Sequence, residues 1–334
     1  MTRRAAAVAR PTPRLAPAAL ALLLALALGA LAACGSDSSG EASEPAVPAT
    51  QATAATAAPA TAAAGRLAPR ATANRFDGAR AFALLRTQVE DYGWRPAGSR
   101  ALRRLAGRLR GLMPAGRFEA VSGHPGLRNV VGSVPGRMPA IVVGAHYDVE
   151  AAPEGFVGAN DGAAGTAAVV TLARAFARAP RPRNARALRF VLFDGEEEPA
   201  GCEPFVECGL RGSKAYAERH ADGTSALILL DYIAERRGLS FPREANSDVE
   251  LWGRLRSAAR AVGVGALFPN RTSGAIIDDH FPFVQQGVPA IDLIDFDYPQ
   301  RDTLEDDLGA VAQRSLDAVG EAVHRLVARL RVAR

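Results

Sequence analysis

Ile141-Val142-Val143-Gly144-Ala145-His146-Tyr147-Asp148 is an apolar run that ends in a histidine and an acid two places apart. Such a run, apolar at every position rather than at alternate ones, reads as a strand buried on both faces, the kind found in parallel sheets covered by helices. Its polar end then falls at the carboxyl edge of the sheet, where open α/β folds hold their ligands. The pattern recurs twice. Phe190-Val191-Leu192-Phe193 runs into Asp194-Gly195-Glu196-Glu197-Glu198, and Leu227-Ile228-Leu229-Leu230 runs into Asp231. Three strand ends thus bring acidic clusters and an imidazole to one rim.

Helical spacing of apolar residues marks 76–89, 99–112, 165–177, 212–219, 248–262 and a long terminal stretch, 315–332. Strand-like runs lie between them at 129–134, 140–145, 187–193, 226–230 and 288–294. The alternation predicts a single three-layer α/β/α domain with a mixed, mostly parallel sheet. No solenoid or propeller period is present.

The chain has 334 residues, more than one average domain needs, but its first seventy or so are not built for a core. Arg3, Arg4, Arg10 and Arg14 precede the uncharged run Ala18 to Ala33, which closes as Leu31-Ala32-Ala33-Cys34. That is the form of a lipoprotein signal peptide, residues 1–33, cut before a lipid-bearing Cys34. An uncleaved membrane anchor is the competing reading, because the run lies near the lower length limit for spanning. Residues 34–73 are Ala, Pro, Thr, Ser and Gly with almost no large apolar side chain, and read as a disordered tether. Residues 74–334 form the expected catalytic domain. The expected location is that of an exported bacterial lipoprotein, held to a membrane on its extracytoplasmic side.

The net charge of +5 invites a nucleic-acid reading, but four of those charges are the arginines of the signal segment. The other arginines fall at helical spacing among acids, and Lys214 is the only lysine. Solvated helix faces suit that pattern better than a phosphate-binding stripe, so no nucleic-acid partner is expected and the domain reads as a monomer. With Cys34 assigned to lipid, Cys202 and Cys208 remain, and we expect a disulfide between them. A two-thiol zinc site is the alternative, weakened by the lack of further nearby His or Cys ligands.

Each polar cluster has a bland reading beside a chemical one. His146 and Asp148, two apart on an extended segment, point to the same side, so the imidazole can meet a metal while the carboxylate orients it or stiffens the turn, or the carboxylate can simply satisfy the ring. Gly158-Ala159-Asn160-Asp161-Gly162 opens a helix: Asp161 is either a helix cap or a metal ligand, and the spacing of a phosphate loop is missing. The acids after Phe193 follow a strand that should be buried, where bare negative charge is costly, so a cation is expected there. With one, Glu197 can ligate while Glu196 moves a proton. Asp278-Asp279-His280 sits between apolar residues and needs partners, whether structural or toward substrate. No Gly-x-Ser-x-Gly elbow exists, so an acyl-enzyme route is not expected.

Taken in order, Gly144-Ala145-His146-Tyr147-Asp148, Gly158-Ala159-Asn160-Asp161-Gly162, Phe193-Asp194-Gly195-Glu196-Glu197, Gly212-Ser213-Lys214-Ala215-Tyr216, Leu229-Leu230-Asp231 and Asp278-Asp279-His280-Phe281-Pro282-Phe283 resemble the zinc exopeptidase family that contains the bacterial aminopeptidases and the glutaminyl-peptide cyclotransferases. The resemblance spans about Asn129 to Arg331. It implies that Asp161 and Glu197 hold zinc, that Glu196 is the general base or acid, and that His146 and Asp231 complete a second zinc site in the aminopeptidase branch. In the cyclase branch one zinc is usual, the residue matching Asp231 receives the substrate amine, and Asp279 joins the proton network. Where the family carries a histidine ligand after an aromatic residue, this chain reads Gln300-Arg301-Asp302-Thr303, so Asp302 stands at the ligand position. A carboxylate can also bind zinc, and the harder set admits manganese or calcium.

The first expectation is a metal-dependent exopeptidase that removes the N-terminal residue of peptides by metal-activated water. Glu196 is its general base, Asp148 and Asp279 assist, one or two zinc ions sit on His146, Asp161, Glu197, Asp231 and Asp302, and Asp231 and His280 contact a peptide with a free N-terminus. The second is a single-zinc glutaminyl cyclase. The third is a non-catalytic peptide-binding lipoprotein.

Overall fold

The structure, a computed structural model, describes residues 65–333. The signal peptide, Cys34 and most of the tether lie outside the described residues. The last stretch given to the tether, 65–73, lies against the domain: Ala68 is buried, Arg66 accepts from the Gly238 main chain at 3.1 Å, and the Thr72 N–H donates to Val262 at 2.9 Å. Composition missed this because main-chain hydrogen bonds need no large side chain.

Two helices come first, α1 (Gly78–Thr87) and α2 (Arg100–Leu112), then strands β1 (Arg117–Ala120), β2 (Arg128–Val134) and β3 (Arg137–His146). Next are α3 (Ala163–Arg178), β4 (Arg186–Phe193), the short α4 (Phe205–Cys208), α5 (Arg211–His220) and β5 (Thr224–Asp231). The chain closes with α6 (Val249–Ala261), the short α7 (Phe281–Gln285), β6 (Ala290–Ile294) and α8 (Gln313–Val332). Side chains of Asp77, Ser99 and Asp248 accept from the main chain three residues on and fix where α1, α2 and α6 begin.

The six strands run in the order β1-β2-β4-β3-β5-β6. The pairs β4–β3, β3–β5 and β5–β6 are parallel, while β1–β2 and β2–β4 are antiparallel. The sheet is therefore mixed and mostly parallel, with β3 in its interior and buried from Ala140 onward. Alternate residues face two apolar layers. Ile141, Val143, Phe190, Leu192, Ile228 and Leu230 pack under α1, α3, α6 and α8, whereas Val142, Val191, Phe193, Leu227 and Leu229 pack with Tyr216 of α5 and Phe283 of α7. Gly144 serves this packing, because a Cβ there would come within 2.7 Å of the Phe193 ring.

The three-layer α/β/α expectation holds. Three short pieces were not foreseen: β1, a four-residue edge strand, and the turns of helix at α4 and α7. All are shorter than a pattern of period can declare. Among the described residues no helix is long and apolar enough to cross a membrane.

Candidate active site

β3 delivers His146 to the carboxyl edge, and its imidazole Nε2 lies 3.0 Å from Asp161 Oδ1 and 3.3 Å from Asp231 Oδ1. His146, Asp161 and Glu197 are all buried, and each offers a ligand atom within 4.8 Å of the other two. Nδ1 of His146 stands 3.9 Å from both Asp148 Oδ1 and Glu196 Oε2, too far for a hydrogen bond, and has no partner among the described residues. Asp148 therefore does not orient the imidazole as its spacing suggested. Its two oxygens instead accept from the main-chain N–H groups of Glu196 and Glu197, at 3.3 Å each. The acid of the His-x-Asp segment thus grips the Glu-Glu pair.

The loop that carries Asp161 is held from below. Asp306 accepts from the Asn160 N–H at 2.9 Å, the Asp161 N–H at 3.0 Å and the Tyr298 hydroxyl at 2.8 Å. Arg95, fully buried, donates to the carbonyls of Gly93, Val157 and Gly158. Gly162 turns into α3 with φ of 72°, and a Cβ there would strike the Asp148 carbonyl at 2.5 Å. None of Arg95, Tyr298 and Asp306 was singled out from sequence. Arg95 and Asp306 hold main-chain groups far along the chain, and Tyr298 acts by bonding the Asp306 carboxylate, contacts that leave no local signature.

After β4, Asp194 is structural: it accepts from the Arg128 N–H at 2.8 Å and the Tyr147 hydroxyl at 2.9 Å. Arg211 at the start of α5 donates to the carbonyls of Gly195 and Glu197 and fixes the turn between them. Cys202 and Cys208 are joined by a disulfide in the loop that follows, as expected.

Asp302 reaches the group through Tyr232. That hydroxyl lies 2.9 Å from Asp161 Oδ2 and 3.1 Å from Asp302 Oδ1, and its single proton can serve only one of them. Asp302 also pairs with Arg301 at 3.2 Å, and Arg301 lies over the Phe296 ring, 4.0 Å from its centroid. Asp279 is fully buried, with neither carboxylate oxygen hydrogen-bonded among the described residues. His280 was expected to touch substrate, but it is fully buried and faces Glu244 and Asp292, a position from which no peptide can be reached.

Burial raises the Glu196 carboxyl well above its ordinary range; nearby His146 opposes this, while Asp278, Asp279 and Asp148 add to it. Glu197 is raised in the same way by burial and by Asp161 and Glu196. Burial pushes Asp231 and Asp306 up to about 7. Burial alone would lower His146, yet its hydrogen bonds to Asp161 and Asp231 carry it well up. The Nε2 lying between Asp161 and Asp231, the phenol shared between two carboxylates and the crowd of buried acids all fit a divalent cation held by His146, Asp161 and Glu197, with Asp231 and Asp302 beside them.

These shifts predict a pH signature for the metal-free protein. Acids raised in the fold bind protons that the unfolded chain releases near pH 4, so their stabilisation is present at low pH and is lost as pH rises through about 7. A bound cation offsets that loss. The melting-temperature gap between zinc-loaded and chelator-treated protein should therefore widen by several degrees from pH 5 to 8. Thermal melts at four pH values test this, and a gap that narrows would contradict it.

The sequence profile of peptidase family M28 matches residues 129–327. A glutaminyl-peptide cyclotransferase of Bothrops jararaca is 26% identical over 226 residues, covering 56% of this chain and 61% of its own. The chain thus spans about three-fifths of that relative's length. Among solved structures, a glutaminyl cyclase from an Acidobacteriales bacterium superposes with a TM-score of 0.69 at 26% identity, over 77% of this chain and 96% of the other. A Zn-dependent exopeptidase from Parabacteroides distasonis shares the fold with a TM-score of 0.66 at 22% identity, over 75% and 98%. Enzymes of both kinds have this architecture, and the matched segment, from β2 to the last turns of α8, holds every residue gathered around His146: the chain belongs to peptidase family M28.

Proposed function

We propose that the chain is a metal-dependent exopeptidase that hydrolyses the N-terminal residue of peptides, with Glu196 as general base. One observation carries the reading. His146 Nε2 lies within 3.3 Å of both Asp161 and Asp231 and joins Asp161 and Glu197 in one donor group, so a nitrogen donor stands among the carboxylates. A bound cation supplies Lewis acidity toward the scissile carbonyl. The protein does the rest. Glu196, buried and raised in proton affinity, takes a proton from the attacking water and hands it to the departing amine. Asp148 fixes the Glu196 main chain so that this carboxylate keeps its aim. Asp231 at the end of β5 presents negative charge to the free amino terminus.

A second reading is supported by the similarity to glutaminyl cyclases: Glu196 would carry the proton from the substrate amine to leaving ammonia. Purified protein given zinc or manganese and peptides beginning with Leu or Gln separates the two. Free amino acid from either peptide supports hydrolysis. Ammonia from the Gln peptide alone, with no residue cleaved, replaces it with cyclisation. A lipid on Cys34 would place either activity at a membrane surface outside the cytoplasm.

Asp302 is open to test because its side chain is 42% exposed and its loss should not disturb the core. Asp302→Ala is expected to weaken zinc binding by roughly tenfold or more, the loss typical even of groups one step removed from a metal. Asp302→His, which supplies a nitrogen donor, should bind zinc at least as well as the parent. Competition titration with a chromophoric chelator reads both. Equal affinity in all three proteins would remove Asp302 from the site.

A further inference from the structure

We propose that Asp278, His280 and Asp292 form a second, separate cation site, one that takes a divalent ion of the zinc or manganese type, with Glu244 orienting the imidazole. It stands independently of the reaction proposed above.

The three side chains are buried, and each offers a ligand atom within 4.8 Å of the others. They come from two elements: Asp278 and His280 from the turn that leads into α7, and Asp292 from β6, opposite Leu229 of β5. His280 is fully buried, and neither ring nitrogen has a hydrogen-bond partner among the described residues. Both oxygens of Asp292 and Oδ2 of Asp278 are likewise unpartnered. Nδ1 of His280 faces Asp292 Oδ2 at 3.7 Å, and Nε2 faces Glu244 Oε1 at 3.4 Å. The other oxygen of Glu244 is already committed to the main-chain N–H groups of Asn246 and Ile276. Glu244 is thus anchored with one oxygen and aimed at the far side of the ring with the other, as carboxylates stand behind metal-bound histidines.

Charge points the same way. With its three carboxylates ionised this buried cluster would carry a net negative charge, and uncompensated negative charge is costly in the interior. One divalent ion would balance most of it and satisfy Nδ1, Oδ2 of Asp278 and Asp292 together. Imidazole with carboxylate favours zinc or manganese over calcium, which takes oxygen donors alone.

Crystals of protein prepared with zinc, measured at the zinc absorption edge, give the direct test. An anomalous peak bounded by Asp278, His280 and Asp292 is expected, whether or not one is seen beside His146. Its absence overturns the proposal, and the four groups then share protons instead. Metal analysis gives the second arm: folded Asp292→Asn or His280→Asn should hold one ion fewer than the parent, while Asp292→His should keep it. An unchanged count in either folded variant overturns it. Asp161→Asn with Glu197→Gln, which disables the His146 group, should retain the ion, so failure of one site is told apart from failure of the other.

Discussion

Glu196→Gln should lower kcat/KM for whichever N-terminal reaction the protein performs by roughly 10²–10⁴-fold, the range for loss of a positioned general acid or base. The amide keeps the shape of the side chain, and the Glu196 main chain stays tied to Asp148, so the fold has no reason to change. Glu196 is not part of the closest donor group, which is His146, Asp161 and Glu197, so metal content should be retained. Stability should hold or rise, because the substitution removes a buried carboxyl whose ionised form is disfavoured by burial and by Asp278, Asp279 and Asp148. Loss of rate with full metal and an unchanged or higher melting temperature is therefore the expected combination. Rates within about fivefold of the parent, far below that range, would show that another group carries the proton. Glu197→Gln gives the contrast: it should lose metal and rate together.

The parts of this molecule that could be read from sequence are those whose cause is local. β3 is legible because a strand with parallel neighbours on each side must be apolar at every position, and Ile141 to Ala145 is. The meeting of His146, Asp161, Glu197 and Asp231 follows from the same rule, since His146 and Asp231 end strands, Asp161 lies just before α3 and Glu197 in the loop just after β4, at one edge of the sheet. What remained hidden depends on contacts far apart in the chain. Tyr232 is one residue past Asp231, yet its hydroxyl matters only because it meets Asp161 and Asp302, about seventy residues away on either side. Asp148 illustrates a subtler limit. It lies two residues past the end of β3, its partners are the N–H groups of Glu196 and Glu197, and which partner a carboxylate takes is decided in three dimensions. His280 shows the reverse error, a polar residue assigned to substrate because its motif neighbours are, though the turn before α7 sends it inward.

Arg95→Met should be the most damaging single change outside the donor set, costing about 3–5 kcal/mol as expected when one partner of a buried charged network is removed. Burial pulls its guanidinium down to about 10 against the pull of Asp161, Asp306, Asp148 and Glu197, so it is a cation kept in the interior by the acids of the site. Its fork also donates to Gly93, Val157 and Gly158. Methionine fills much of the volume but leaves the Gly93 and Val157 carbonyls without this donor, Gly158 with only the Ala163 N–H, and the acids without their buried counter-charge. At about 2–4 °C per kcal/mol for a domain of this size, the melting temperature should fall by roughly 10 °C. Metal affinity should fall with it, because Val157 and Gly158 lead directly into Asn160 and Asp161. Arg95→Lys keeps the charge but has no fork to span Val157 and Gly158, so it should recover part of the stability and little of the affinity. Full recovery of both by lysine would mean that charge alone matters here. A fall in melting temperature of only two or three degrees in Arg95→Met would mean that water replaces the guanidinium beneath the loop.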